Sequence, residues 1–87
     1  MMSIWWRKPI VVETRKVGQR VVITSVERAA EYLLHEWPSV EDGPAFNTCR
    51  QALIRAYDGE IDAEGARGAF IAALQESNIY IFPVQDD

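Results

Sequence analysis

The stretch from Asp62 to Asn78, DAEGARGAFIAALQESN, constrains this chain more than any other. At the helical step of about 100° per residue, Ala66, Ala69, Phe70, Ala73 and Leu74 fall on one continuous arc. Most of that arc is small, so the helix can lie close to a neighbouring layer while Phe70 and Leu74 fill the space between them. It reads as a core helix that needs a sheet to pack on. Asp62 supplies an N-cap oxygen, and Asn78 can end the helix in the left-handed region.

The start of the chain supplies the sheet. Pro9 to Arg15 and Gln19 to Thr24 are rich in β-branched residues, and between them lie Val17 and Gly18, which suits a hairpin with positive φ at the glycine. Thr24 with Glu27 fits a capping box for a first helix starting near Ser25. The apolar arc of that helix holds Val26, Ala29, Ala30, Leu33, Leu34 and Trp37, and Pro38 stops it. The loop SVEDG follows. Pro44 opens a second helix, with Phe46, Cys49, Ala52, Leu53, Ala56 and Tyr57 on its buried side and Gly59 as a left-handed cap. Ile79 to Val84 is a last strand, which Pro83 confines to an edge. Three antiparallel helices carry the chain to the far end of the sheet, so the last strand runs parallel to the second and pairs with the first. The expected fold is α+β: a two-layer ββαααβ sandwich with a three-stranded antiparallel sheet in order 2-1-3 on three helices.

At 87 residues the chain is one domain, residues 1–87, with residues 1–8 expected as a loose leading segment. A hydrophobic content of 48% with 25% charged residues argues against intrinsic disorder. With the single cysteine Cys49 there is no internal disulfide framework. No apolar run has the length of a signal peptide core or a membrane span, so the expectation is a cytoplasmic protein with no membrane partner. The net charge of −4 is unevenly spread. Up to residue 20, Arg7, Lys8, Arg15, Lys16 and Arg20 oppose only Glu13, whereas the remainder is strongly acidic.

The string AAEYLLHEWP from Ala29 to Pro38, GPAF at Gly43 to Phe46, DGE at Asp58 to Glu60, and ARGAFIAAL from Ala66 to Leu74 form a set with Ile79 and Ile81. Together with Trp6, Pro9 and Ile10, this set resembles the small bacterial proteins of domain-of-unknown-function family 982. The resemblance covers nearly the whole chain. It implies a fold and no activity.

Residues that could carry chemistry have plainer readings. His35 lies with Arg28 and Glu31, away from the apolar arc, as a solvated surface histidine. Cys49 sits within an apolar arc as a small hydrophobe. One histidine and one cysteine do not make a transition-metal site, and the acids Asp58, Glu60, Asp62 and Glu64 lack calcium-loop spacing. No metal or cofactor is expected. Gly65 and Gly68 lie inside a helix and do not form a phosphate loop. Arg67 borders the buried arc, where it is expected to pair with Asp58 or Glu31; a ligand-facing role is the competing reading.

Strand alternation supplies the functional hint. With Ile10, Val12, Val21, Ile23, Ile79 and Ile81 facing the helices, the other side carries Val11, Glu13, Arg15, Arg20, Val22, Tyr80 and Phe82. With Trp5, Trp6, Arg7 and Lys8 close by, this side is an expected interaction surface. The leading expectation is a non-enzymatic module that binds a protein partner or a second copy of itself as a homodimer, through this face or its edge strand. The alternative is single-stranded nucleic acid, stacked on the aromatics and neutralised by the basic residues, although the acidic body opposes it. A small-ligand or enzyme site lined by Arg67, Tyr57 and Trp37 is the third reading.

Overall fold

In the computed structural model, residues 4–16, 18–39 and 43–83 are described. Val17, the loop residues 40–42 and Val84, all named in the sequence expectations, lie outside them. Strand β1 (Trp5–Glu13) is central, flanked by β2 (Arg20–Ser25) and β3 (Ile81–Phe82), both antiparallel to it. The order β2-β1-β3 is the expected one. Helix α1 (Val26–Glu31), a π-helical turn (Tyr32–Glu36), α2 (Pro44–Tyr57) and α3 (Ala63–Glu76) form the second layer. The thinnest dimension is 18 Å, as two layers require.

Strand β1 begins at Trp5, well before Pro9, so Trp5 to Lys8 are strand residues where a loose segment was expected. The register pairs Trp5 with Ser25 and Ile10 with Ile23, which leaves extra residues on β1 as a bulge. Beyond the bulge, Val12 and Ile23 are fully buried against the helices. Strand β3 is shorter than expected, because Asn78 at φ 56° ends α3 and Pro83 limits pairing. The turn glycine, Gly18, takes the expected positive φ of 82°.

The start of α1 differs by one residue from expectation. Ser25, with extended backbone, is the N-cap, and its Oγ accepts the Arg28 N–H at 3.1 Å. The helix then widens into the π turn. Tyr32 swings inward, fully buried, and its hydroxyl donates to the Glu13 carbonyl at 2.9 Å; Leu34, expected in the core, points to solvent. Trp37 is buried as expected, with the extended ψ of 120° that a residue before proline adopts. On α2, Phe46, Cys49, Leu53 and Ala56 are buried, but Tyr57 is exposed. On α3, Ala66, Phe70, Ala73 and Leu74 are completely buried, as the alanine-rich arc requires.

The loop between α1 and α2 ends at Gly43, whose φ of 115° excludes most side chains and which offers no capping oxygen of its own. The Glu76 carboxylate fills that role, accepting the Ala45 N–H at 2.6 Å, and a Cβ on Gly43 would collide with it. An acid at the last turn of α3 is unfavourable for that helix alone, but the neighbouring positive end of α2 offsets it. Replacing Glu76 with Ala is expected to cost about 1 kcal/mol, the size of a lost N-cap. In a domain of this length that lowers Tm by about 4–8 °C in thermal denaturation. An unchanged Tm would show that the cap contributes nothing.

Candidate interaction surface

The outer face of the sheet is built from cross-strand pairs. Val11 stands opposite Val22 on one side and Phe82 on the other, so Val22, Val11 and Phe82 form one apolar row across all three strands. In the next row Glu13 pairs with Arg20 and bonds Tyr80 twice: its N–H donates to the Tyr80 carbonyl at 3.1 Å, and its carboxylate accepts the Tyr80 N–H at 2.8 Å. The Arg20 guanidinium reaches across the sheet to lie 4.2 Å from the centre of the Phe82 ring, which Tyr80 meets edge-on at 4.7 Å. Trp5, Val22 and Tyr80 are 65%, 48% and 56% exposed. No helix among the described residues covers this face.

Not every expected residue joins it. Trp6 is 7% exposed and belongs to the core: the bulged strand turns its indole toward α3, where Nε1 donates to the Ala63 carbonyl at 2.8 Å and the ring packs on Phe70. Arg15 is exposed, but its Nε donates to the Trp37 carbonyl at 2.9 Å, which ties it to the helix layer below the hairpin. Arg7 and Lys8 are exposed near the start of α3, where the Arg7 N–H meets the Glu64 carboxylate at 3.3 Å. The structure thus brings Val11, Arg20, Val22, Tyr80 and Phe82 together, with Trp5 at the far end. A shallow recess of about 430 Å³ runs from Trp5 and Val22 to Arg28 and Glu31 on α1. There Arg28 grips Glu36 through two hydrogen bonds, at 2.6 and 3.0 Å, and also meets Glu31 at 3.0 Å.

A second apolar surface lies on the helix layer. Leu34, Ile54 and Tyr57, each more than half exposed, rim a groove of about 350 Å³ between α1 and α2, floored by Val26, Ala30, Leu33 and Leu53. Sequence reasoning missed it by assigning Leu34 and Tyr57 to the core. The signal available was the width of the apolar arc on α2, which exceeds what one neighbouring layer can cover.

A model of the family described as protein of unknown function, DUF982, matches residues 8–81. The chain belongs to that family. No curated protein and no solved structure matches it. The span matched to family 982 includes Val11, Arg20, Val22, Tyr80 and the whole helical groove, and leaves Trp5 and Phe82 just outside.

Elsewhere, Arg67 and Cys49 have structural surroundings. Arg67 is half-buried and its Nε donates to the Lys8 carbonyl at 3.0 Å, so its partner is main chain where an ion pair to Asp58 or Glu31 was expected. Trp37, Tyr57 and Arg67 are not brought together: the first is in the core, the second rims the helical groove, and the third sits beside β1. Cys49 is fully buried, and desolvation pushes its thiol up to about 12, so it stays protonated at neutral pH. His35 is exposed. Among the described residues no cluster of three or more His, Cys, Asp or Glu could hold a metal ion, and no helix is long and apolar enough to cross a membrane.

The Arg28 hydrogen bonds hold the Glu36 carboxyl below its ordinary range. A depressed carboxylate stabilises the fold above its unfolded value, near pH 4.3, and that contribution disappears as pH falls through the folded value. Glu36→Gln is therefore expected to lower Tm at pH 7 and to make progressively less difference below about pH 4. Calorimetry at the two pH values checks this; an equal Tm difference at both would mean that the pair contributes nothing through its charge.

Proposed function

We propose that the chain is a non-enzymatic protein-interaction module whose working surface is the outer face of the sheet. One observation carries this reading: among the described residues no helix covers the row Val22–Val11–Phe82, which has exposed Trp5 and Tyr80 beside it. Single exposed apolar side chains are ordinary, but a contiguous row with aromatic ends resembles the core of an interface. Arg20 at the rim favours a protein whose own rim is acidic. The compartment we propose is the cytoplasm, a reading supported by the use of a lone, buried cysteine.

Single-stranded nucleic acid is the weaker reading. Tyr80 is exposed for stacking, but Phe82 already has Arg20 over its ring, and Arg15 is held by the Trp37 carbonyl. Few cations are left aligned along a strand's path.

Affinity capture from the native cell, with wild type beside Val22→Asp and Tyr80→Ala, tests the proposal. A specific protein is expected to be retained by wild type, to capture the chain reciprocally, and to be lost with both folded variants. If capture is indifferent to these substitutions, the sheet face is not the working surface. Salt-dependent binding of an oligonucleotide, lost with Arg20→Ala, would establish the weaker reading in its place.

A further inference from the structure

The groove between α1 and α2 is a different surface from the sheet face, and it carries its own charge pattern. Arg50 and Ile54 on α2 and Asp58 at its C-cap are spaced four residues apart, one ridge about 12 Å long with the isoleucine at its centre. Ile54 is 58% exposed, with Leu34 and Tyr57 beside it. Among the described residues neither the Arg50 nor the Asp58 side chain has an ion-pair partner. Asp58 is also the C-cap of α2, at the negative end of the helix, where a cation from outside would be favoured over an acid standing alone.

We propose that this ridge is a homodimer interface: a second copy of the chain docks on it about a two-fold axis passing beside Ile54. In such an isologous contact each residue i that meets j of the partner is matched by j meeting i. Arg50 and Asp58 are equidistant in sequence from Ile54 and opposite in charge. Antiparallel apposition of two α2 helices therefore places each Arg50 against the Asp58 of the other copy and Ile54 against its twin. Packing along i±4 ridges is a common way for helices to cross. Leu34 and Tyr57 enter the same contact from the flanks, and Glu27 adds a further acid at the rim.

The symmetry of the charges selects this occupant. A foreign helix would need an apolar stripe with an acid and a base in matching positions, whereas a second copy has them by construction. A small apolar ligand fits less well, because Leu34, Ile54 and Tyr57 stay more than half exposed and cannot enclose it. The sheet face remains free for the partner proposed above.

Sedimentation velocity or light scattering across micromolar to near-millimolar protein tests the proposal, with circular dichroism to establish folding. The wild type is expected to dimerise reversibly, and Ile54→Glu to be monomeric. Arg50→Glu and Asp58→Arg singly should each raise the dimer Kd by about tenfold or more, by setting like charges against each other. The double variant should recover most of the lost affinity. A wild type that stays monomeric overturns the proposal, as does a double variant no better than the singles. A dimer that ignores these changes but is dispersed by Val22→Asp would place self-association on the sheet face instead. None of these outcomes depends on whether the sheet face captures a foreign protein.

Discussion

A chain of aromatic contacts ties the two layers together. The Trp6 ring on β1 lies 5.7 Å from Phe70 on α3, Phe70 lies 6.0 Å from Tyr32 in the π turn, Tyr32 lies 5.8 Å from Trp37, and Trp37 lies 5.1 Å from Phe46 on α2. Three of the four pairs meet edge to face, the arrangement the ring quadrupole favours. Small residues make room for it: Ala29, Ala66 and Ala73 are fully buried, so the helices approach closely enough for rings from separate elements to touch. Phe70, with contacts to both Trp6 and Tyr32, is the joint between sheet and helices.

Long polar side chains serve the same scaffold by satisfying main-chain groups. Arg15 donates to the Trp37 carbonyl where Pro38 interrupts the helix, Arg67 donates to Lys8 beside the bulge in β1, and Glu76 supplies the acceptor that Gly43 lacks. Each contact lies where regular hydrogen bonding breaks down. The buried Tyr32 hydroxyl does likewise with the Glu13 carbonyl. Arg67, which the sequence left open to a ligand-facing role, is in this way committed to a main-chain carbonyl.

Any two-layer sandwich has an outside on each layer, and their apolar content distinguishes this one. On the sheet side the apolar row is inseparable from the strand pairing: Val11 is central because β1 is central, and Val22 and Phe82 are its partners by register. On the helix side the groove is bordered by the π turn, whose Leu34 stands exposed beside Ile54 and Tyr57.

Element type, order and direction were legible in the sequence because they rest on local signals: β-branched runs around Gly18, proline at positions 38 and 44, Asp62 and Asn78 at the ends of α3, and the spacing of its alanines. The outer positions of Val11, Val22, Tyr80 and Phe82 followed from alternation alone, since a paired strand has only two faces. The inward turn of Trp6, the exposure of Leu34 and Tyr57, and the main-chain partners of Arg15 and Arg67 were decided by tertiary structure. The bulge in β1 shifts side-chain phase, and cover by a neighbouring layer is not a local signal. Periodicity therefore established which residues form the two layers, while only their packing determined which apolar side chains those layers could no longer cover.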